Sequence, residues 1–107
     1  MSPRRLTLIG AAAALALSAC QGEKLSPQAE RGRQIYTSQC TACHAFDPAQ
    51  PGAVGPELKG SSRELLQAKV LSGTYPAGYK PKRPTSVMPP QAQLTPADVD
   101  GLAAFLK

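Results

Sequence analysis

Tryptophan is absent from this 107-residue chain, and three tyrosines and two phenylalanines are its only aromatic residues. A chain of this length holds at most one small domain, and with so little aromatic bulk its core is thin. Domains of this kind need a disulfide, a metal or a cofactor as a staple. There is one histidine, and one methionine besides Met1, so a centre built on two imidazoles of the same chain is excluded. No stretch alternates apolar with polar residues, which argues against a sheet. The longest apolar stretch, Leu6 to Ala19, falls short of the about 20 residues that a bilayer-spanning helix requires. Acidic residues are the minority, seven against twelve basic, but Arg4 and Arg5 stand ahead of any domain and the remaining excess is mild. No basic helix with interleaved aromatics is present, so nucleic acid is not an expected partner.

Arg4 and Arg5 form a basic head and Leu6 to Ala19 follows as an apolar stretch, the order of a secretory signal. It ends in Leu17-Ser18-Ala19-Cys20, which resembles the lipobox of bacterial lipoproteins: a branched apolar residue, two small residues, then the cysteine that becomes the lipidated N-terminus. Ordinary cleavage after a small-x-small site, with Ala16 and Ser18 at the right separation, is the competing reading. It leaves Cys20 as an unpaired thiol in an exported protein. The expected organisation is a lipoprotein signal peptide over 1–19, a lipidated N-terminus and polar tether over 20–26, and one domain over 27–107. Two or three acyl chains hold a protein on a membrane surface without crossing it. The expected location is the outer face of a bacterial membrane, on the periplasmic side, and Gln21 in place of an aspartate disfavours inner-membrane retention in a cell with two membranes.

Helix signals repeat within the domain. Ser26-Pro27 offers a hydroxyl cap followed by proline at the first helical position. Ala29, Gly32, Ile35 and Tyr36 then fall on one face, and this helix is expected to run into the Cys40 region. A second helix is expected to start at Ser61 or Ser62, Ser61 and Glu64 having the spacing of a capping box, ahead of an apolar face of Leu65, Leu66, Val70 and Leu71, with Gly73 as the stop. Thr95, Pro96 and Asp98 repeat the first opening, and Val99, Leu102, Phe105 and Leu106 form a stripe behind them. Gly55-Pro56-Glu57-Leu58-Lys59-Gly60 reads as loop. Between Gly73 and Leu94 lies a long proline-rich stretch without period, of a kind that compact domains keep only for a function. The fold class expected is all-α, with three main helices joined by long, proline-stiffened loops that wrap something.

Cys40-Thr41-Ala42-Cys43-His44 indicates what is wrapped, because it gathers two of the three cysteines and the only histidine. A thioredoxin-like dithiol wants a βαβ context and has no use for an adjacent histidine. A structural zinc site needs four ligands where three are within reach. A disulfide between Cys40 and Cys43 closes too short a loop to stabilise much. Attachment of a c-type haem uses every residue of C-x-x-C-H. Two cysteines one turn apart face the same edge of the macrocycle, and the next residue lies close enough to place its imidazole over the iron. The porphyrin would also supply the apolar area that the few aromatics cannot.

From Pro27 onward the chain resembles the monohaem class I c-type cytochromes. Gly32 and Tyr36 look like the glycine and aromatic through which that family's first helix meets its last, here at Leu102 and Phe105. The Gly55 to Gly60 segment resembles the family's loop on the histidine side, where the Pro56 carbonyl would accept a hydrogen bond from His44 Nδ1–H. Met88, ahead of the last helix and followed by Pro89 and Pro90, stands in the place of the axial methionine. The resemblance implies a small cytochrome c fold around one haem c, held covalently by Cys40 and Cys43, ligated by His44 and Met88, and contacted by Pro56 and Leu58.

With both axial positions filled, such a protein is an electron carrier rather than an enzyme. The expectation is a membrane-tethered monomer, anchored through Cys20, that passes single electrons between redox partners of a respiratory chain. Lys80, Lys82 and Arg83, beside the methionine loop, either steer an acidic partner or keep the loop soluble. Lys80, Lys82 or Tyr79 could displace Met88 at high pH or on partial unfolding. The alternative is a dedicated electron-transfer subunit of a periplasmic dehydrogenase or oxidase, and a weaker one is a haem sensor or peroxidase with a labile sixth ligand. The stretch from Gly73 to Pro84 is longer than the resemblance implies.

Overall fold

A computed structural model describes residues 24–84 and 86–107. The expected signal segment, Cys20 and the first part of the tether lie outside the described residues. Among the described residues the elements are all helical and no strand occurs, as expected for an all-α domain. None of these helices is long and apolar enough to cross a membrane.

Helix α1 spans Pro27–Ile35. The Ser26 hydroxyl accepts the Ala29 N–H at 3.1 Å, Pro27 sits in the first turn, and Glu30 places negative charge at the positive end of the helix. After Ile35 the helix widens into a π-helical turn, Tyr36–Cys40. There the hydroxyls of Ser38 and Thr41 donate to the carbonyls of Gln34 and Thr37, at 2.9 and 2.7 Å. They compete with backbone N–H groups for acceptors four residues back, where the regular pitch is lost.

Helix α2 spans Arg63–Leu66 and widens likewise over Gln67–Leu71. Its cap departs from the expected pair of Ser61 and Glu64. Ser62 accepts the Leu65 N–H at 3.1 Å, whereas the hydroxyl and N–H of Ser61 both donate to the Leu58 carbonyl, at 2.6 and 3.0 Å. Ser61 is committed to the preceding loop, so the cap falls to its neighbour. The helix stops at Gly73, whose φ of +69° is the left-handed value that glycine adopts without strain. Helix α3, Pro96–Phe105, opens on a complete capping box: Thr95 Oγ1 accepts the Asp98 N–H at 3.2 Å, and Asp98 Oδ2 accepts the Thr95 N–H at 3.0 Å.

Helices α1 and α3 meet backbone to backbone. A Cβ on Gly32 would stand 1.9 Å from the Gly101 carbonyl oxygen and 2.8 Å from the Leu102 nitrogen. The residue that makes this approach possible from α3 is Gly101, which the sequence pattern did not single out. Around the crossing the Tyr36 and Phe105 rings pack at 5.6 Å between centroids, within the range of favourable tilted pairs. Ile35, Tyr36, Leu66, Val70, Val99, Leu102 and Leu106 form the buried cluster, with Met88, Leu58 and Cys40 packed against its open side. The core thus ends at a wall of side chains, and the site lies against it.

Candidate functional site

The π-helical end of α1 delivers Cys40, and a tight turn delivers the rest. The N–H groups of Cys43 and His44 both point to the Cys40 carbonyl, at 3.3 and 2.9 Å. The Cys43 carbonyl in turn accepts the N–H groups of Val54 and Gly55, at 3.2 and 2.9 Å. Gly52 lies on the same backbone, where an added Cβ would come within 2.4 Å of the Cys43 oxygen and 2.6 Å of His44 Cα. Just past the turn, the buried Tyr36 hydroxyl donates to the Ala45 carbonyl at 2.5 Å. The Cys40 to His44 turn is therefore pinned by α1 on one side and by the 52–55 loop on the other.

His44 is buried. Its Nδ1 stands 2.7 Å from the Pro56 carbonyl oxygen. A carbonyl only accepts, so the proton of the neutral ring sits on Nδ1 and the Nε2 lone pair is left for another partner. Gly55 closes the ring in: a Cβ there would lie 2.3 Å from His44 Cε1 and 2.7 Å from Nε2.

Cys40, Cys43, His44, Pro56, Leu58 and Met88 all line one cavity of about 260 Å³. The sequence gathers only the first three; the fold brings Pro56, Leu58 and Met88 to them. Tyr36, Leu66, Val70, Leu102 and Leu106 are the buried cluster's contribution to its apolar wall. Met88 is half-buried against that cluster. The two thiols are free, Cys40 half-buried and Cys43 exposed. Burial pushes the Cys40 thiol up to about 11.

Two of the three cations that the sequence placed beside the methionine loop, Lys82 and Arg83, line the cavity. Lys80 is exposed. Lys82 pairs with Glu57 Oε1 at 3.2 Å and also donates to the Glu57 carbonyl at 3.0 Å. Hydrogen bonding to its own backbone N–H, and then Lys82, holds the Glu57 carboxyl below the usual range. Arg83 donates to the carbonyls of Val54 and Gly52, at 2.7 and 2.8 Å. Neither Lys82 nor Arg83 is the merely solvated charge that the sequence allowed. Tyr75 and Tyr79 stack at 5.4 Å beside them, and Lys69 Nζ lies 4.2 Å over the Tyr75 ring.

These residues fit a haem. An apolar cavity receives two unbridged thiols, a buried imidazole with one nitrogen already bonded, and a thioether from a separate segment. Gly52, Gly55 and the Tyr36 hydroxyl are the parts of the site that sequence reasoning passed over. Gly52 follows Pro51 and reads only as turn, and a tyrosine in a core position gives no sign that its hydroxyl has a partner.

Residues 27–106 match the family model described as cytochrome c oxidase, cbb3-type, subunit III. No curated protein and no solved structure matches the chain.

Proposed function

We propose, from the premise that this chain belongs to the family of cytochrome c oxidase, cbb3-type, subunit III, that it is a membrane-tethered one-electron carrier. Membership makes the domain a c-type cytochrome, which transfers electrons through a haem. In our reading Cys40 and Cys43 hold one haem covalently, His44 and Met88 ligate its iron, and Pro56 and Leu58 contact it. When bound, the haem supplies a one-electron iron couple, and a thioether ligand raises its potential relative to a second nitrogen.

The residues of the chain supply the rest. The Pro56 carbonyl keeps a proton on His44 Nδ1, orients the ring and raises the basicity of Nε2. Gly55 allows the ring its position and leaves it little freedom to turn. The wall of Leu66, Val70, Leu102 and Leu106 excludes water from the interior of the cavity. Pro89 restricts Met88 to extended geometry and stiffens the segment that carries its sulfur. With His44 and Met88 both engaged, the iron would have no open position for a substrate, and the protein would be a carrier rather than a catalyst.

Cys20 completes the proposal as the lipidated residue that follows a signal peptide over 1–19 and begins the tether over 20–26. The domain over 27–107 would then stand on the periplasmic side, where confinement to the membrane raises the effective concentration of its redox partners. The observation that carries the function is the meeting in one cavity of Cys40, Cys43, His44 and Met88, which come from two separate segments. The test is the optical spectrum of the purified protein, ferric and then ferrous, with carbon monoxide added last. A low-spin spectrum with a methionine-to-iron charge-transfer band and no response to carbon monoxide is expected. Ready formation of the carbon monoxide adduct would show an open sixth position and return the sensor and peroxidase readings.

The family description favours a second reading of the partnership, with the same chemistry: a fixed electron-transfer subunit of an oxidase. Purification in mild detergent separates the two. A free shuttle leaves the column alone, and a subunit brings a stoichiometric oxidase with it.

A further inference from the structure

The segment that carries Met88 is tied to the segment that carries Pro56 by two adjacent cations. Arg83 spreads its fork over two carbonyls of one loop, Gly52 at 2.8 Å and Val54 at 2.7 Å. Lys82 reaches the carbonyl of Glu57 at 3.0 Å and its carboxylate at 3.2 Å. The acceptors bracket Gly55 and Pro56, the two residues that hold the His44 ring. They are also the loop that grips the Cys43 carbonyl through the Val54 and Gly55 N–H groups. The chain of contacts therefore runs from Arg83 through the 52–55 loop to the Cys40 to His44 turn.

On the other side, Met88 stands five positions beyond Arg83, with Pro84 between them and Pro89 next to it. Fixing Arg83 bounds the arc that Met88 can reach, since five residues span at most about 18 Å. Beyond Met88, the Gln91 N–H donates to the Val70 carbonyl at 2.7 Å, so the arc is pinned at both ends.

We propose that Lys82 and Arg83 are positioning residues that act as a clasp, holding the Met88 segment closed on the histidine side of the cavity and so setting how readily another ligand replaces the thioether. This rests on the reading of Met88 as an iron ligand. The geometry separates a clasp from a charged surface. A guanidinium donates from two nitrogens in a rigid plane, which suits two carbonyls two residues apart, and an ammonium cannot reproduce that fork. Arg83→Lys keeps the charge and loses the two-carbonyl fork, which is Arg83's share of the clasp.

The experiment is imidazole titration of the ferric holoprotein, followed by loss of the methionine-to-iron charge-transfer band, in the wild type and in Arg83→Ala, Arg83→Lys, Lys80→Ala and Met88→Ala. An external ligand binds in proportion to the fraction of molecules in which the thioether has left. Removing hydrogen bonds donated by a charged group is expected to tighten imidazole binding on the order of tenfold in both Arg83 variants. Lys80→Ala, on the same segment but outside the clasp, is expected to match the wild type. The urea midpoint, measured alongside, moves less than the imidazole affinity if the effect is local.

Met88→Ala lacks the band from the outset if Met88 is the ligand; a wild type without the band, or a Met88→Ala protein that keeps it, overturns the ligand reading and the clasp with it. With the ligand reading intact, imidazole affinities within twofold of wild type in both Arg83 variants overturn the clasp alone. A wild-type affinity in Arg83→Lys beside a tightened one in Arg83→Ala also overturns it, in favour of charge.

Discussion

Gly55 and His44 are packed so closely that a single methyl group on Gly55 would sit 2.3 Å from His44 Cε1. The imidazole is held between this glycine and the Pro56 carbonyl that bonds its Nδ1. Its orientation is a property of the 52–57 loop as much as of the Cys40 to His44 turn.

Gly55→Ala is accordingly expected to tilt the ring or push the loop away. The cost expected is about 1–3 kcal/mol in stability, with a ferric spectrum of mixed spin state. Gly60→Ala is the control: its φ is +83° with open space around it, so it costs about 1 kcal/mol of backbone strain and leaves the spectrum unchanged. An unaltered spectrum in Gly55→Ala would refute the tight packing of the ring.

The two glycines of the α1–α3 crossing are expected to differ in tolerance. At Gly32 an added Cβ meets the Gly101 carbonyl at 1.9 Å, backbone that cannot yield. At Gly101 the nearest atoms are at 3.2 Å. Gly32→Ala is expected to cost about 3 kcal/mol or more, and Gly101→Ala about 1 kcal/mol. Urea unfolding of the two holoproteins checks this, and equal costs would contradict the asymmetry.

Tyr36 contributes through its ring and through its hydroxyl, and Tyr36→Phe separates the two. The substitution keeps the contact with Phe105 and leaves the Ala45 carbonyl without its donor. A loss of about 1 kcal/mol is expected, read as a lower urea midpoint at unchanged slope. No loss would mean that water replaces the hydroxyl without cost.

Acid is expected to weaken the start of α3. Hydrogen bonding to the Thr95 backbone, opposed by partial desolvation and aided by Arg31, lowers the Asp98 pKa from its ordinary value. The unfolded chain therefore takes up this proton first as pH falls. The carboxylate's contribution is full above the ordinary aspartate value of about 3.9 and is lost as pH drops through the folded value. Asp98→Ala is expected to cost about 1 kcal/mol at pH 7, with the gap to wild type shrinking below about pH 3.9. A gap that stays constant on acidification would exclude this linkage.

The local chemistry of the sequence was the part that could be read directly. Ser26-Pro27 and Thr95-Pro96 announce helix starts because a cap involves residues only three apart, and all of it is visible in one short string. The same logic left the start of α2 at Ser61 or Ser62 and paired the wrong one with Glu64. The two serines are equivalent as strings, and the choice between them is made by the Leu58 carbonyl, which belongs to the preceding loop. Cys40, Cys43 and His44 are contiguous and stand out as a motif, whereas Pro56, Leu58 and Met88 could be named only through resemblance to a family. Arg83 was legible as charge but not as a fork on Gly52 and Val54, because backbone carbonyls have no letter in the sequence. Gly101 was hidden for a similar reason, since its significance is the absence of a side chain opposite Gly32.

The Gly32–Gly101 contact also bears on the order in which the domain is assembled. α1 is the first and α3 the last of the described helices, so their mutual seal waits until the chain has been made through Gly101. A contact of such long sequence separation carries a loop-closure cost in entropy that a local one does not. Until then the cavity lacks Leu102 and Leu106, the part of its apolar wall that α3 supplies. The crossing thereby ties completion of that wall to the last of the described helices.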